Sequence, residues 1–241
     1  MIPEEYKRMA DVEDRHWWFY EKRLLLDAFL PAPDKPKKIL DIGAGTGGTS
    51  AYLDRWGKVT RIDASPIACG YLKHRGLAHI QTDANTYRFP KNTYDIVTCL
   101  DVLYHQNIDD EALLKKIFST LKPGGVLLIT DCALPMLTSD HDKRNLARER
   151  FTVRKLRLLI TDAGFLIDRA SYSYFFVFPL FLISRFIEKF IHSSDVTLPH
   201  PFVNSLLSHV AKFEVQLLRR HSLPIGSSLV IRARKSSSIR L

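Results

Sequence analysis

Asp41 and the glycines Gly43, Gly45, Gly47 and Gly48 crowd into one short stretch directly after the apolar run Ile39-Leu40, and Asp63 and Asp83 each close a later apolar run. Glycine lets a backbone turn sharply and approach a ligand with no Cβ in the way. Thr49-Ser50-Ala51-Tyr52-Leu53 follows with helix-compatible residues. A strand that empties through glycines into a helix N-terminus makes a nucleotide-type pocket. Two histidines stand where a proton could be moved: His105 after the fourth apolar run, and His141 between Asp140 and Asp142. Imidazole titrates near neutral pH, as a general base for a hydroxyl acceptor must, although a lone histidine is more often structural. Asp140-His141-Asp142 is not expected to hold a metal, because adjacent residues seldom converge on one ion and no distant partner set is visible.

Two ligands compete for the glycine loop. Gly43, Gly45 and Gly48 satisfy the dinucleotide pattern G-x-G-x-x-G, with Asp63 about 20 residues further on, where an acid would hold a ribose. Asp41 separates the readings. A carboxylate just before the glycines would face a pyrophosphate, and like charges at close range disfavour that arrangement. S-adenosylmethionine (SAM) has no phosphate and carries a sulfonium and an ammonium, which suit an acid at Asp41.

Asp41-x-Gly43-x-Gly45-x-Gly47 resembles motif I of the class I SAM-dependent methyltransferases, and further motifs follow in the family's order over residues 36–172. The resemblance implies an α/β fold with a seven-stranded, mostly parallel sheet of order 3-2-1-4-5-7-6 and helices on both faces. It implies SAM as cofactor, with Asp41, Gly43, Ala44, Gly45 and Gly47 in the loop and Asp63-Ala64 at the ribose. Asp83-Ala84 would lie at the adenine. Leu100-Asp101 would meet the methionine part of the cofactor, and the residues that follow, Tyr104 among them, would face the acceptor.

Stepping along the chain, residues 3–30 read as a helix carrying His16-Trp17-Trp18-Phe19. That cluster resembles the N-terminal segment of bacterial methyltransferases of polysaccharide and secondary-metabolite pathways. Trp17, Trp18 and Tyr20 are expected either to dock the helix on the main domain or to form a lid touching substrate. Pro31, Pro33 and Pro36 end it. Strands are expected at Lys58–Ile62, His79–Thr82, Tyr94–Leu100, Val126–Thr130, Phe165–Tyr172 and Gly226–Arg234. Helix starts are signalled by Ser65-Pro66, by Asp109 and by Thr152. Lys122-Pro123-Gly124-Gly125 is expected to stop the helix after Asp109. The organisation predicted is an N-terminal helical lid over 1–35 and a methyltransferase domain over 36–241, with a helical insertion at 174–222 holding helices near Ser184–His192 and Phe202–Arg220.

The chain has 241 residues, is 46% hydrophobic and 25% charged, and so fits one full α/β domain with an insertion. Cys69, Cys99 and Cys132 are too few and scattered for a disulfide framework. The charged N-terminus is not followed by an apolar region, so export is not expected and a cytoplasmic location is. The apolar run Phe175–Ile183 is interrupted by Ser184-Arg185, well below the ~18 residues a span requires. The net charge of +9 and the basic run over residues 143–157 allow an anionic partner or simply a solvated basic surface.

The reading is a SAM-dependent methyltransferase acting on a small molecule, a sugar or a lipid-linked glycan intermediate, with peripheral membrane contact through the insertion as a further expectation. A nucleic-acid methyltransferase is the alternative. Against it, Leu100-Asp101-Val102-Leu103 replaces the Asn/Asp-Pro-Pro-Tyr type motif of amino-methylating enzymes. A non-catalytic SAM-binding partner subunit and a nicotinamide oxidoreductase are the others.

Overall fold

The structure, a computed structural model, describes residues 1–188 and 197–237; the side chains of residues 140, 141 and 184–188 lie outside that description. Seven strands form one sheet of order β3-β2-β1-β4-β5-β7-β6. They are β1 (Lys37–Ile42), β2 (Gly57–Asp63), β3 (His79–Gln81), β4 (Tyr94–Leu100), β5 (Leu121–Cys132), β6 (Leu166–Ser173) and β7 (Ser228–Arg234). β1 to β5 pair in parallel, and β7 runs antiparallel between β5 and β6. This is the class I methyltransferase sheet, with the order that the motif sequence implies.

Successive residues of a strand point to opposite faces, and the core divides accordingly. Leu40, Val97, Leu127 and Ile129 pack against Leu113, Leu114 and Ile117 of α5 (Asp110–Thr120) and Leu156 and Ile160 of α7 (Val153–Asp162). Their neighbours Ile39, Ile96, Val126 and Leu128 pack against Leu25, Leu26 and Phe29 of α2 (Trp17–Phe29) and Val215 and Leu218 of α9 (Pro201–Leu218). Half of α2 and part of the insertion helix α9 are thus one layer of the sheet's own core.

Caps set the helix starts. Ser65 accepts from Ala68 N–H at the start of α4 (Pro66–His74), Asp109 from Ala112 N–H, and Thr152 from Lys155 N–H. The N-terminal segment differs from the single helix expected. It breaks into α1 (Pro3–Val12) and α2, because His16 takes an extended conformation and its Nδ1 accepts from Trp18 N–H. α5 also stops earlier than expected: Leu121 is already extended and enters β5, and Gly124, at φ 77°, turns within that strand. A short helix α3 (Gly48–Tyr52) follows the glycine loop, and α6 (Asp140–Arg144) precedes α7. The insertion contributes α8 (Phe178–Glu188) and α9; the expected helix near Ser184–His192 lies partly outside the described residues. Among the described residues, no helix is long and apolar enough to cross a membrane.

Candidate active site

The glycine loop leaves β1 with its amides turned inward. Gly43 and Ala44 N–H donate to Ile62 O at 2.9 and 3.1 Å, and Gly45 N–H donates to Asp63 Oδ2 at 2.9 Å. Gly43 sits at φ +72°, and a Cβ there would lie 2.4 Å from Val102 Cγ2, so β4's end closes on the loop. The N-terminus of α3 is also taken. Glu13, buried beyond the end of α1, packs its carboxyl against Gly48, where a Cβ would lie 2.7 Å from its Oε2, and is paired with Arg75 at 2.9 Å, while Arg75 Nε donates to Thr46 O. Burial pushes the Glu13 carboxyl up, and the Thr46 hydroxyl, Arg75 and Gly48 N–H oppose that rise. Helix N-termini after glycine loops are where pyrophosphates bind. Here a carboxylate already occupies that place.

Asp41, Asp63 and Asp83, with Asp101, line one cavity of about 740 Å³ at the carboxyl ends of the parallel strands, the position where open α/β sheets hold ligands. Asp41 is buried, its Oδ1 accepting from Thr98 Oγ1 at 2.6 Å; burial raises its pKa, against hydrogen bonds from Ser50 and Thr98 and the charge of Arg61. Asp63 also accepts from Ser65 N–H at 2.9 Å; burial raises it too, opposed by the Ser65 and Gly45 amides. Each of its oxygens spends one lone pair on a backbone amide, which fixes the carboxylate and leaves acceptor capacity for a ligand. Asp83 Oδ1 caps a turn by accepting from Asn85 N–H at 2.7 Å.

At the end of β4, Asp101 has φ +55°, an uncommon conformation for a non-glycine residue. It is held there by its N–H to Thr130 O at 2.8 Å, by Thr130 Oγ1 to its Oδ1 at 3.2 Å, and by an ion pair with Lys22 of α2. Burial lowers Lys22 to about 8, against the opposing influence of Cys132 and Asp131. Tyr104 is buried, with the His105 ring 4.2 Å from its own. Burial first, and the Met1 ammonium second, lower His105 to about 4, opposed by the backbone of Asn145 and Leu146. Imidazole is therefore neutral in the cavity at physiological pH and able to accept a proton.

Aromatics from two segments wall the mouth. Trp18 stacks on Tyr174 at 4.1 Å, Tyr174 Oη donates to Trp18 O at 2.9 Å, and Phe181 of α8 meets Trp18 edge-on at 5.4 Å. Trp17 N–H donates to Asn204 Oδ1 of α9 at 2.9 Å.

A model of the methyltransferase domain matches residues 15–168, well over half of the chain. This chain belongs to the methyltransferase domain family. Over 157 residues the methyltransferase is 31% identical to the phosphoethanolamine N-methyltransferase of Plasmodium falciparum, covering 60% of this chain and 58% of that protein. Over 141 residues it is 34% identical to the ubiquinone/menaquinone biosynthesis C-methyltransferase UbiE of Cronobacter sakazakii, covering 53% of this chain and 55% of that one. The match thus spans little more than half the length of either relative. Among solved structures it resembles Haemonchus contortus phosphoethanolamine N-methyltransferase 2 in complex with SAM, with a TM-score of 0.60 at 20% identity, over 91% of this chain and 53% of that one. A SAM-dependent methyltransferase from Mesorhizobium loti gives 0.59 at 16% identity, over 87% and 95%. At these identities the likeness is one of fold.

Of the residues expected at the site of the methyltransferase, Asp41, Gly43, Ala44, Gly45, Asp63, Ala64, Asp83, Ala84, Leu100, Asp101, Tyr104, His105, Trp17 and Trp18 all line the one cavity. Gly47 does not line it: at φ 98° it is the N-cap of α3, with Arg75, Leu72 and Leu77 packed where a Cβ would go. Tyr20 is likewise outside the lining, and Phe19 is in it. The His141 side chain lies outside the described residues. Among the described residues no group of three or more His, Cys, Asp or Glu is placed to hold a metal.

Glu13 and Lys22 were not anticipated. Lys22 follows Trp18 by one helical turn, so the two share a face of α2; that spacing was the available signal. Four cations of the basic run are paired, while Arg154 and Arg157 are exposed to solvent. Arg144 pairs with Glu5, Arg148 with Asp110, Arg150 with Asp142 and Lys155 with Glu149.

Proposed function

We propose that the methyltransferase carries a methyl group from SAM to a small-molecule acceptor with an apolar, lipid-linked portion, such as a lipid-linked glycan intermediate. One observation carries the cofactor assignment: the Glu13 carboxyl packs against Gly48 at the start of α3 while the loop amides turn inward, so the site offers carboxylates where a dinucleotide's pyrophosphate would need N–H donors. Asp41 and Asp63 suit a cationic, phosphate-free nucleoside, and these residues would hold it with Leu100 and Asp101 on its far side.

When bound, SAM supplies an electrophilic methyl on a sulfonium. The chain's own task is alignment and exclusion of water. Trp17, Trp18, Phe19 and Phe181 supply apolar walls around the acceptor's entrance, and Lys22 holds Asp101 in its strained conformation. His105, neutral in its half-buried place, accepts the proton that a hydroxyl acceptor gives up.

The cationic groups in the lining do not favour a nucleic acid: Lys22 and Arg150 are matched by Asp101 and Asp142, and Arg8 shares Glu5 with Arg144. The relatives are named for phosphoethanolamine and for ubiquinone/menaquinone biosynthesis; the aromatic mouth supports the apolar class. Isothermal titration with SAM and, separately, with NAD tests the cofactor, and transfer of labelled methyl to polyprenyl-linked sugars tests the acceptor. Saturable SAM binding with none to NAD is expected. Binding to NAD alone would overturn the reading.

A further inference from the structure

We infer that the outer face of α8 and α9 is a docking surface for an anionic lipid bilayer. The described side chains of the insertion show an uneven division. Phe202, Leu180 and Phe213 are 72%, 59% and 58% exposed, and Ile183, Leu206 and Val203 stand out beside them. On α9 the spacing from Phe202 to Leu206 to Phe213 keeps all three on one side of the helix. Phe176, from the loop before α8, joins the face through its ring contact with Phe213 at 5.5 Å. Isolated apolar side chains on a surface are ordinary, but a continuous set of this size marks a contact site.

Charge decides what the contact is with. Over residues 174–183 and 197–222 the only carboxylate is Glu214, and it is buried, with Oε2 accepting from Phe176 N–H. Lys212, Arg219 and Arg220 are exposed on the same stretch. Between those two ranges the sequence adds Arg185 and Lys189 against Glu188 and Asp195, which cancel. A face that is apolar and, among its described residues, rimmed by cations without exposed carboxylates is the complement of a bilayer with anionic head groups, into which such helices sink their apolar side.

The face also stands in the right place. Phe181 lines the cavity, while its neighbours Leu180 and Ile183 on α8 point outward. α8 is therefore the wall between the cavity mouth and the apolar face, so docking would bring a lipid-borne acceptor to the mouth without crossing water. The inference rests on the proposed function only for that route; vesicle binding is read without turnover, so failure of one is a separate result from failure of the other.

The test is co-sedimentation of the full chain with phosphatidylcholine vesicles and with vesicles that also contain phosphatidylglycerol. Binding to the phosphatidylglycerol vesicles that weakens with salt is expected. Phe202→Ser with Phe213→Ser should reduce the partition about tenfold or more, and Lys212→Glu with Arg220→Glu should remove the preference for the anionic lipid. All four positions are exposed, and unchanged SAM affinity would show that each variant is folded. No binding of the unaltered chain to either vesicle, or binding that the Phe202 and Phe213 changes leave intact, would overturn the inference. So would a dimer in sedimentation velocity that the same two changes dissociate, since the face would then join two copies of this chain.

Discussion

Glu21 of α2 and Glu214 of α9 bring two carboxyl groups together where each residue is only 1% exposed. Burial raises the pKa of Glu21 well above the carboxylate range, with the charge of Glu214 adding to it; burial raises Glu214 as well, while the amides of Phe175 and Phe176 oppose that rise. Two like charges at this distance from water cannot both form cheaply, so burial and mutual repulsion favour a shared proton in the pair. The junction between the N-terminal segment and the insertion is therefore pH-sensitive.

The sign follows from proton counting. Both folded pKa values lie above the ordinary value, so the folded chain binds more protons than the unfolded one between about pH 4.5 and the pair's raised pKa. Stability from this junction is present below that window and is lost as pH rises through it. Glu21→Gln retains a hydrogen-bond donor towards Glu214 and removes the shared titration. Thermal unfolding should show the variant as stable as the unaltered chain near pH 5 and more stable at about pH 8. An unaltered pH slope in Glu21→Gln would show that the pair does not titrate together.

Asp63 has two duties, and two substitutions separate them. Its oxygens hold Gly45 N–H and Ser65 N–H, which fixes the loop, and its remaining lone pairs face the cavity. Asp63→Ala orphans both amides and should cost about 1 to 3 kcal/mol of stability, together with at least a hundredfold of SAM affinity. Asp63→Asn keeps one acceptor for the loop, so it should recover much of the stability and little of the affinity. Retained affinity in Asp63→Ala, measured by titration calorimetry, would place the ribose elsewhere.

His105 makes a prediction in rate. A histidine lowered to about 4 is neutral from about pH 5 upward. The acid limb of kcat/KM should fall near that value and not near 6.5, with a plateau across neutral pH. His105→Gln should lower kcat by about 10²-fold or more with little change in KM. In stability the same shift works the other way from the acid pair: the folded chain binds fewer protons than the unfolded one, so this contribution is present above about pH 6.5 and is lost as pH falls through about 4. An acid limb at 6.5 that survives in His105→Gln would assign the base to another group.

What was legible in the sequence is what local chemistry writes. Ser65, Asp109 and Thr152 each bond an amide three residues on, so the cap is visible in the sequence itself. The strands are apolar runs bounded by glycine, proline or acid, and the resemblance to the methyltransferase family supplies their place in the sheet. The rest depends on partners far apart in the chain. Arg144 reads as a free cation until Glu5, 139 residues away, is seen beside it, and Arg75 reaches Glu13 across 62. His16 was visible as part of an aromatic cluster, yet its action as an N-cap that breaks the helix requires knowing that Trp17 is pulled to Asn204 of α9. Site residues borne by the strand ends came from the family resemblance; Glu13 and Lys22, which come from packing, did not.

Gly48 and Glu13 test the structural reading of the loop without any ligand. A Cβ on Gly48 would lie 2.5 Å from Glu13 Cδ and 2.7 Å from its Oε2. Gly48 is the first residue of α3 and has no positive φ, so alanine there is acceptable to the backbone, and any cost comes from displacing the carboxyl. Gly48→Ala should cost about 1 to 3 kcal/mol in chemical denaturation. Glu13→Ala alone should also destabilise, by leaving Arg75 without one of its carboxylates and a void beside Gly48. In the double variant the clash has no partner. The two losses should then fall short of adding by about 1 kcal/mol or more. Strict additivity would mean that Glu13 does not sit on the helix N-terminus, and the argument against a bound pyrophosphate would fall with it.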